Sequence, residues 1–207
     1  MASPRLNPVE ATLRQIAADL GAGGWRWALI GGIAVSARAE PRTTRDVDVC
    51  VHVRNDAEAE ALVHALQARS YRVLAVLEQT AAGRLATVRL EPPSHAGRGA
   101  LVDLLFASSG IEPEVVGAAE SLDILEDLPV PVARVGHLIA LKVLAREDRH
   151  RPQDWDDIQA LLREATEADV EEARTALELI EQRSYHRGKT LVSEFEAVMK
   201  DAGQLRM

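Results

Sequence analysis

The chain has 207 residues, of which 47% are hydrophobic, and its formal net charge at pH 7 is -8. This length suits one compact core with a helical extension, and the acidic balance argues against binding nucleic acid through overall charge. The single cysteine, Cys50, excludes an internal disulfide and a zinc site made of several thiolates. No apolar run reaches the roughly 18 residues of a membrane span, and no signal-peptide pattern is found, so we expect a cytoplasmic protein that does not bind membranes.

The first elements predicted along the chain are a helix, a strand and a second helix. Apolar residues recur at helical spacing over residues 8–20, and the short apolar segment 25–30 predicts a buried strand. Gly31 and Gly32 then turn the chain into a helix over residues 33–39. Glycines at such a turn are often only steric, but they also leave backbone N–H groups free to face an anion such as a triphosphate.

The clearest strand covers residues 46–53, where valines alternate with the polar positions of the run DVDVCVHV. Asp46 and Asp48 therefore project from one face, about 6.5 to 7 Å apart along the strand. Two carboxylates in the same space repel each other unless a cation intervenes, and carboxylate oxygens suit Mg²⁺. An isolated pair of this kind is more often the outward face of a half-exposed strand, so a metal site needs further residues.

A third carboxylate is found in a later apolar strand. After a helix over residues 55–69, strands are predicted over residues 71–77, 84–90 and 100–106. Asp103 lies inside the last of these strands, in the run ALVDLLFA. Because an unpaired carboxylate is costly to desolvate there, Asp103 needs a cation, a hydrogen-bond partner or contact with solvent.

The pattern changes to helices beyond residue 131. Apolar spacing predicts four of them, over residues 135–146, 153–164, 168–183 and 191–202. We therefore expect an α/β (α+β) fold, in which residues 1–130 form a mixed sheet with flanking helices and residues 131–207 form a helical extension packed on this core.

Together these features resemble the nucleotidyltransferase superfamily that includes DNA polymerase β. Its signature is a strand, a Gly-Gly or Gly-Ser turn, a helix and an Asp-x-Asp strand, followed by a third aspartate on a later strand. The resemblance covers roughly residues 25–106. Within the superfamily, the chain is similar to the AbiEii and MenT-like group of bacterial toxins over the segments GGIAVSARAEPRTTRDVDVCV, LVDLLF and VPVARVGHLIALKVLAREDRHRPQDWDDIQALL.

The resemblance implies roles for particular residues. Mg²⁺, or alternatively Mn²⁺, would be held by three residues that are also catalytic, Asp46, Asp48 and Asp103. The NTP substrate would be bound by Gly31, Gly32, Arg45 and Lys142. The helical extension would contribute Lys142 and a later aspartate to catalysis, and we assign that aspartate to Asp157, with Asp154 and Asp156 as alternative registers.

The residues alone leave simpler interpretations of these positions open. Lys142 borders an apolar helical stripe, so it either binds phosphate or packs its stem on the core with its charge in water. At least two of the three aspartates at residues 154–157 are explained by the favourable effect of a carboxylate at a helix N-terminus. Arg38, Arg42 and Arg45 lie between the glycines and the carboxylates, where each either binds phosphate or is solvated.

The implied activity is transfer of an NMP from an NTP to an acceptor hydroxyl, with the 3′ end of a tRNA as the expected acceptor. The protein would then act as a toxin opposed by a separately encoded antitoxin. A small antibiotic-like acceptor and a non-catalytic binding module or antitoxin are the alternatives, and three intact aspartates argue against the latter. Binding RNA would require a local positive path, for which the candidates are Arg134, Arg146, Arg149 and Arg151.

Overall fold

The computed structural model of the protein describes residues 7–79, 82–93, 100–146 and 152–204. The first part of the chain contains α1 (Pro8–Ala22), β1 (Trp27–Ile30), α2 (Gly31–Arg38), β2 (Asp46–Val51), α3 (Asp56–Gln67), β3 (Arg72–Gln79), β4 (Arg84–Glu91) and β5 (Leu101–Leu105). The second part contains α4 (Glu112–Gly117), β6 (Glu120–Leu125), β7 (Leu128–Val132), α5 (Val135–Ala145), α6 (Pro152–Glu164), α7 (Glu167–Gln182) and α8 (Leu191–Gln204).

The seven strands form one mixed sheet in the order β3-β4-β5-β2-β1-β7-β6. β2 pairs with β5 in parallel and with β1 in antiparallel fashion, so it lies at the centre of the sheet. Helices flank this sheet and four further helices follow it, which confirms the predicted fold class. Each helix and strand that the sequence predicted is present, with ends that differ by only a few residues.

The hairpin of β6 and β7 was not predicted from the sequence. The sequence concealed the second strand because it contains Pro129 and Pro131. Proline lacks an N–H donor and therefore argues against a strand inside a sheet. Here both prolines pair only toward β6, whereas the pairing with β1 is confined to the end of β7, at Val132. Since β7 spans Leu128–Val132, the sheet continues across the predicted domain boundary at residue 130, and that boundary stays a prediction.

The apolar face of β2 anchors the core on which the site is built. Val47, Val49 and Val51 are fully buried, as their alternation with polar residues predicts. Helix α1 contacts β2 and β5, and its Thr12 hydroxyl donates a hydrogen bond to the carbonyl of Ala100 at 3.3 Å. The opposite face of the same strand therefore carries Asp46 and Asp48 on a rigid support.

Helix α5 is the centre of the C-terminal helices and contacts α2, α6, α7 and α8. It approaches α7 so closely that a side chain at Gly136 would lie 2.5 Å from the carbonyl oxygen of Asp169. The Lys189 ammonium donates hydrogen bonds to carbonyls at the C-terminal end of α5, at Val143, Leu144 and Arg146. Helix α5 is thus held at a defined position. In the part of the chain that the structure describes, no helix is both long and apolar enough to cross a membrane.

Candidate active site

Strand register brings the predicted carboxylates to one region of the sheet. Asp48 is paired with Ile30 on one side and with Asp103 on the other. Since paired residues on neighbouring strands point to the same face, Asp48 and Asp103 lie side by side, and Asp46 lies two residues earlier on that face. The side chain of Asp103 is only 12% exposed, whereas that of Asp46 is 37% exposed.

The glycine turn borders Asp48 directly. Gly31 has a φ of +64°, and a Cβ built on it would lie 1.9 Å from Oδ2 of Asp48. The backbone N–H of Gly32 lowers the pKa of Asp48, so the start of α2 favours the charged form of this carboxylate. Gly31 is therefore required both for its backbone conformation and for the space that Asp48 occupies.

Replacing Gly31 by alanine is expected to displace Asp48. Any residue other than glycine costs about 1 to 2 kcal/mol in this left-handed conformation, and the clash adds to that cost. Gly24→Ala is a matched control, because Gly24 has a φ of +67° and nothing within 4 Å of a built Cβ. We expect Gly31→Ala to lower both the free energy of unfolding and the transfer rate well beyond the control. Equal effects in the two variants would contradict the close approach.

Arg89 on β4 is part of the same carboxylate cluster. Its Nε and Nη2 donate hydrogen bonds to Oδ1 and Oδ2 of Asp103 at 2.7 and 2.6 Å, and Nη2 lies 3.8 Å from Oδ2 of Asp46. The hydrogen bonds to Asp103 raise the pKa of Arg89, which keeps its guanidinium charged. Sequence reasoning missed this residue. A signal was present, because a charged residue between the apolar Val88 and Leu90 must project from the other face of the strand.

The three carboxylates carry more negative charge than the guanidinium of Arg89 neutralises. Burial, together with the charges of Asp103 and Asp46, raises the pKa of Asp48 from 3.8 to about 6. Lys142 and the backbone of Gly32 act in the opposite direction. A carboxylate whose ionised form is disfavoured in this way is stabilised by an added cation.

Helices α5 and α6 supply a second charged group, opposite the sheet. Lys142 Nζ lies 2.8 Å from Oδ1 of Asp154 and 2.7 Å from Oδ2 of Asp157. Arg42 donates hydrogen bonds to both oxygens of Asp157, at 2.5 and 2.8 Å. Asp154 and Asp157 are both buried, whereas Asp156 is exposed. Two aspartates thus contact Lys142, where sequence reasoning assigned only one.

A cavity of about 340 Å³ separates the two charged groups. Residues of the predicted site that line it are Gly31, Asp48, Asp103 and Lys142, and Asp154 joins them. The rest of the wall is largely apolar and includes Leu77, Leu105, Leu138 and Leu141. A larger cavity of about 440 Å³ lies between α6, α7 and α8, and none of the predicted site residues lines it.

Other predicted residues lie outside the wall of the 340 Å³ cavity. Asp157 is fully buried behind Lys142, and Gly32 is buried next to Arg42, whose Nη2 would be 2.8 Å from a Cβ at that glycine. Arg45 is exposed to solvent, and its role in nucleotide binding stays a prediction. Arg187 lines the cavity but was not predicted, because its loop carries no motif and reaches the site only through the tertiary fold.

The carboxylate cluster fits a hard divalent cation by its chemistry. Among the described residues, no three His, Cys, Asp or Glu side chains are already arranged as a metal-binding group. Asp46, Asp48 and Asp103 nevertheless offer oxygen donors from one face of the sheet, and their mutual repulsion disfavours the ionised form of Asp48. Oxygen donors with excess negative charge are the set that Mg²⁺ or Mn²⁺ requires.

Solved structures share this fold. An antigenic nucleotidyltransferase-like protein from Paracoccidioides brasiliensis is 20% identical, with a TM-score of 0.53 and coverage of 91% of this chain and 92% of its own. The antibiotic-resistance factor ANT(2'')-Ia is 19% identical, with a TM-score of 0.52 and coverage of 84% and 91%. The chain therefore has the nucleotidyltransferase fold.

Comparison with family models identifies the family. The model described as "Nucleotidyl transferase AbiEii toxin, Type IV TA system" matches residues 15–206. The chain belongs to this family and is a nucleotidyltransferase. A comparison with curated protein sequences finds no match.

Proposed function

We propose that this nucleotidyltransferase moves an NMP from an NTP to a hydroxyl of RNA, with the 3′ end of a tRNA as acceptor. The observation that carries the proposal is the arrangement of the cavity. Asp48 and Asp103 line it beside Gly31, and Lys142 and Asp154 line it as well. In the proposed reaction the acceptor hydroxyl loses its proton to solvent and its oxygen forms a bond to the α-phosphorus. The bond between the α-phosphorus and the oxygen that bridges it to the β-phosphate breaks, and pyrophosphate leaves.

Asp46, Asp48 and Asp103 would hold Mg²⁺ or Mn²⁺, which when bound supplies Lewis-acid stabilisation of the charge that develops on the phosphate oxygens. Lys142 places a positive charge at the cavity wall, where it neutralises phosphate charge. Asp154 and Asp157 hold the ammonium of Lys142 at a fixed position, so little reorganisation is needed when phosphate arrives. Leucines of α5 add an apolar surface to the wall beside Lys142.

The charged residues that line the cavity balance one another. Among the described residues that line it, the carboxylates of Asp48, Asp103 and Asp154 are matched by Arg89, Lys142 and Arg187. A site for a cationic small molecule would instead carry excess carboxylates on its acceptor side. The lack of such an excess favours RNA over a cationic acceptor, and the family's description as a toxin supports a separately encoded antitoxin as a counterpart.

Two of the four arginines that the sequence suggested for a positive path can be located relative to the cavity. Arg134 forms ion pairs with Glu120 and Glu172, and the guanidinium of Arg146 lies 4.7 Å from the centre of the Trp155 ring. Neither arginine lines the cavity. The other two candidates, at positions 149 and 151, lie outside the described residues. We therefore assign this role to Arg187, which is exposed at the cavity and donates hydrogen bonds to the carbonyl and hydroxyl of Ser108.

The proposed function is tested by incubating the protein with each labelled NTP, Mg²⁺ and total RNA, and by asking which molecule gains label. We expect label at the 3′ ends of tRNA. Parallel reactions with antibiotics in place of RNA test the other acceptor class. Label in a small molecule and none in RNA would overturn the proposed acceptor. If the protein binds NTP in an EDTA-sensitive manner but transfers label to no acceptor, RNA transfer is overturned and the nucleotide site stays supported.

Arg187→Gln is expected to weaken RNA binding about tenfold and to leave NTP binding nearly unchanged. A lost phosphate contact should also reduce the slope of log K against log salt by about 0.7 to 0.9. Arg174→Gln is a suitable control, because Arg174 is paired with Glu171 and Glu196 and does not line the 340 Å³ cavity. Filter binding over a salt series measures both quantities. Salt-insensitive RNA binding, or equal effects of the two variants, would contradict this assignment.

A further inference from the structure

Arg89 has a defined relation to the three carboxylates. On the antiparallel pair of β4 and β5 it lies directly opposite Asp103, and Asp103 lies opposite Asp48 on β2. The three side chains therefore form a row across three neighbouring strands, on one face of the sheet. Arg89 is the cationic end of that row, and its side chain lines the cavity.

The contact between Arg89 and Asp103 uses both carboxylate oxygens. The guanidinium donates one hydrogen bond to each of them, at 2.7 and 2.6 Å, in the paired geometry that makes arginine a strong partner of carboxylates. The side chain of Asp103 is 12% exposed, whereas that of Arg89 is 42% exposed. Asp103 is therefore fixed in the wall, and Arg89 has room to move into the open cavity.

A metal ion and Arg89 would need the same oxygens. Asp103 is one of the three proposed metal ligands, and its oxygens are already hydrogen-bonded to the guanidinium. The nearest Arg89 nitrogen is also 3.8 Å from Asp46, so the arginine reduces the charge on two of the three ligands at once. Each oxygen keeps a second lone pair, so the guanidinium opposes metal binding through its positive charge and through its hold on the orientation of the Asp103 carboxylate.

We propose that Arg89 is a positioning residue that acts as an internal counter-ion. It holds Asp103 in place before metal binds, and its positive charge competes with that of the metal for the carboxylates of Asp103 and Asp46. The competition sets the metal concentration that the enzyme requires. This inference rests on the proposed metal-dependent site, and its test reads metal affinity rather than transfer.

The test is a calorimetric titration of nucleotide-free protein with Mn²⁺. Thermal unfolding with and without EDTA is measured alongside it. Arg89→Gln should bind Mn²⁺ about tenfold more tightly than the wild type, with a lower melting temperature in EDTA and a larger rise on adding metal. Arg89→Lys, which keeps the charge but loses the two parallel hydrogen bonds, should lie between them. Arg84→Gln is the matched control on the same strand, since Arg84 is paired with Asp56 and should leave Mn²⁺ affinity unchanged.

The possible results separate the two proposals. If Arg89→Gln binds Mn²⁺ no more tightly than the wild type, Arg89 is only a structural ion pair and the inference is overturned. If that variant does not fold, Arg89→Lys decides the matter by the same comparison. If Mn²⁺ binds neither the wild type nor any variant, with or without NTP, the metal site itself is wrong and both proposals fall.

Discussion

Replacing Asp48 with asparagine is expected to lower nucleotidyl transfer by about a thousandfold while the protein stays folded. The variant keeps the shape of the side chain but removes one anionic oxygen donor from the centre of the cluster, where Asp48 borders both Gly31 and Asp103. Loss of about 4 kcal/mol of transition-state stabilisation corresponds to that factor. Asp123→Asn on the exposed edge strand β6 is the control, and it should transfer at the wild-type rate.

The same substitution should increase stability when metal is absent. Because the folded protein raises the pKa of Asp48 to about 6, keeping this group ionised at higher pH costs stability. We expect Asp48→Asn to gain about 1 to 2 kcal/mol in the free energy of unfolding at pH 8 in EDTA. The gain should shrink as the pH falls through 6 and vanish below about pH 4, where Asp48 is protonated in both the folded and the unfolded protein.

Denaturant unfolding at several pH values, alongside transfer assays with labelled NTP, measures both effects. A well-folded Asp48→Asn protein that transfers at the wild-type rate would remove Asp48 from the catalytic site. A loss of activity without any gain in metal-free stability would leave the catalytic role intact, but it would contradict the repulsion within the carboxylate cluster.

Replacing Asp157 with asparagine should have the largest effect on folding. Asp157 is 1% exposed and is the shared partner of Arg42 and Lys142, so the variant leaves two buried or half-buried cations with less negative charge between them. Removing one partner of a buried ion pair costs about 3 to 5 kcal/mol. We expect a loss of about 3 kcal/mol in the free energy of unfolding.

Asp156→Asn is a control on the same helix, because Asp156 is exposed and should change stability by less than about 0.5 kcal/mol. Asp154→Asn completes the comparison, since Asp154 also contacts Lys142 but lines the cavity. If Asp157 acts by holding Lys142 and Arg42, its variant should lose more stability than the Asp154 variant. Equal stability of the Asp157 and Asp156 variants would show that the buried network contributes little.

The sequence by itself determined the features that depend on local periodicity. A strict alternation over two residues put Asp46 and Asp48 on one face of a strand, and adjacent glycines after an apolar strand predicted the turn at Gly31. Both patterns are set by backbone geometry within a few residues, so no distant part of the chain can alter them without breaking the strand or the turn. The α/β first half and the C-terminal helices followed from the order of such local patterns.

Only the tertiary structure decided which distant residues join that site. The pairing of Arg89 with Asp103 depends on the register between β4 and β5, and register is a non-local property. The contacts of Lys142 with both Asp154 and Asp157 depend on how α5 packs against α6, which periodicity does not specify. The strand β7 could not be predicted because it contains prolines. A missing N–H donor is acceptable only where no neighbouring strand needs it, and the sequence does not show which side of β7 has a partner. Periodicity along the chain therefore predicts which face a side chain occupies, whereas packing between helices and strands decides which distant side chains it contacts.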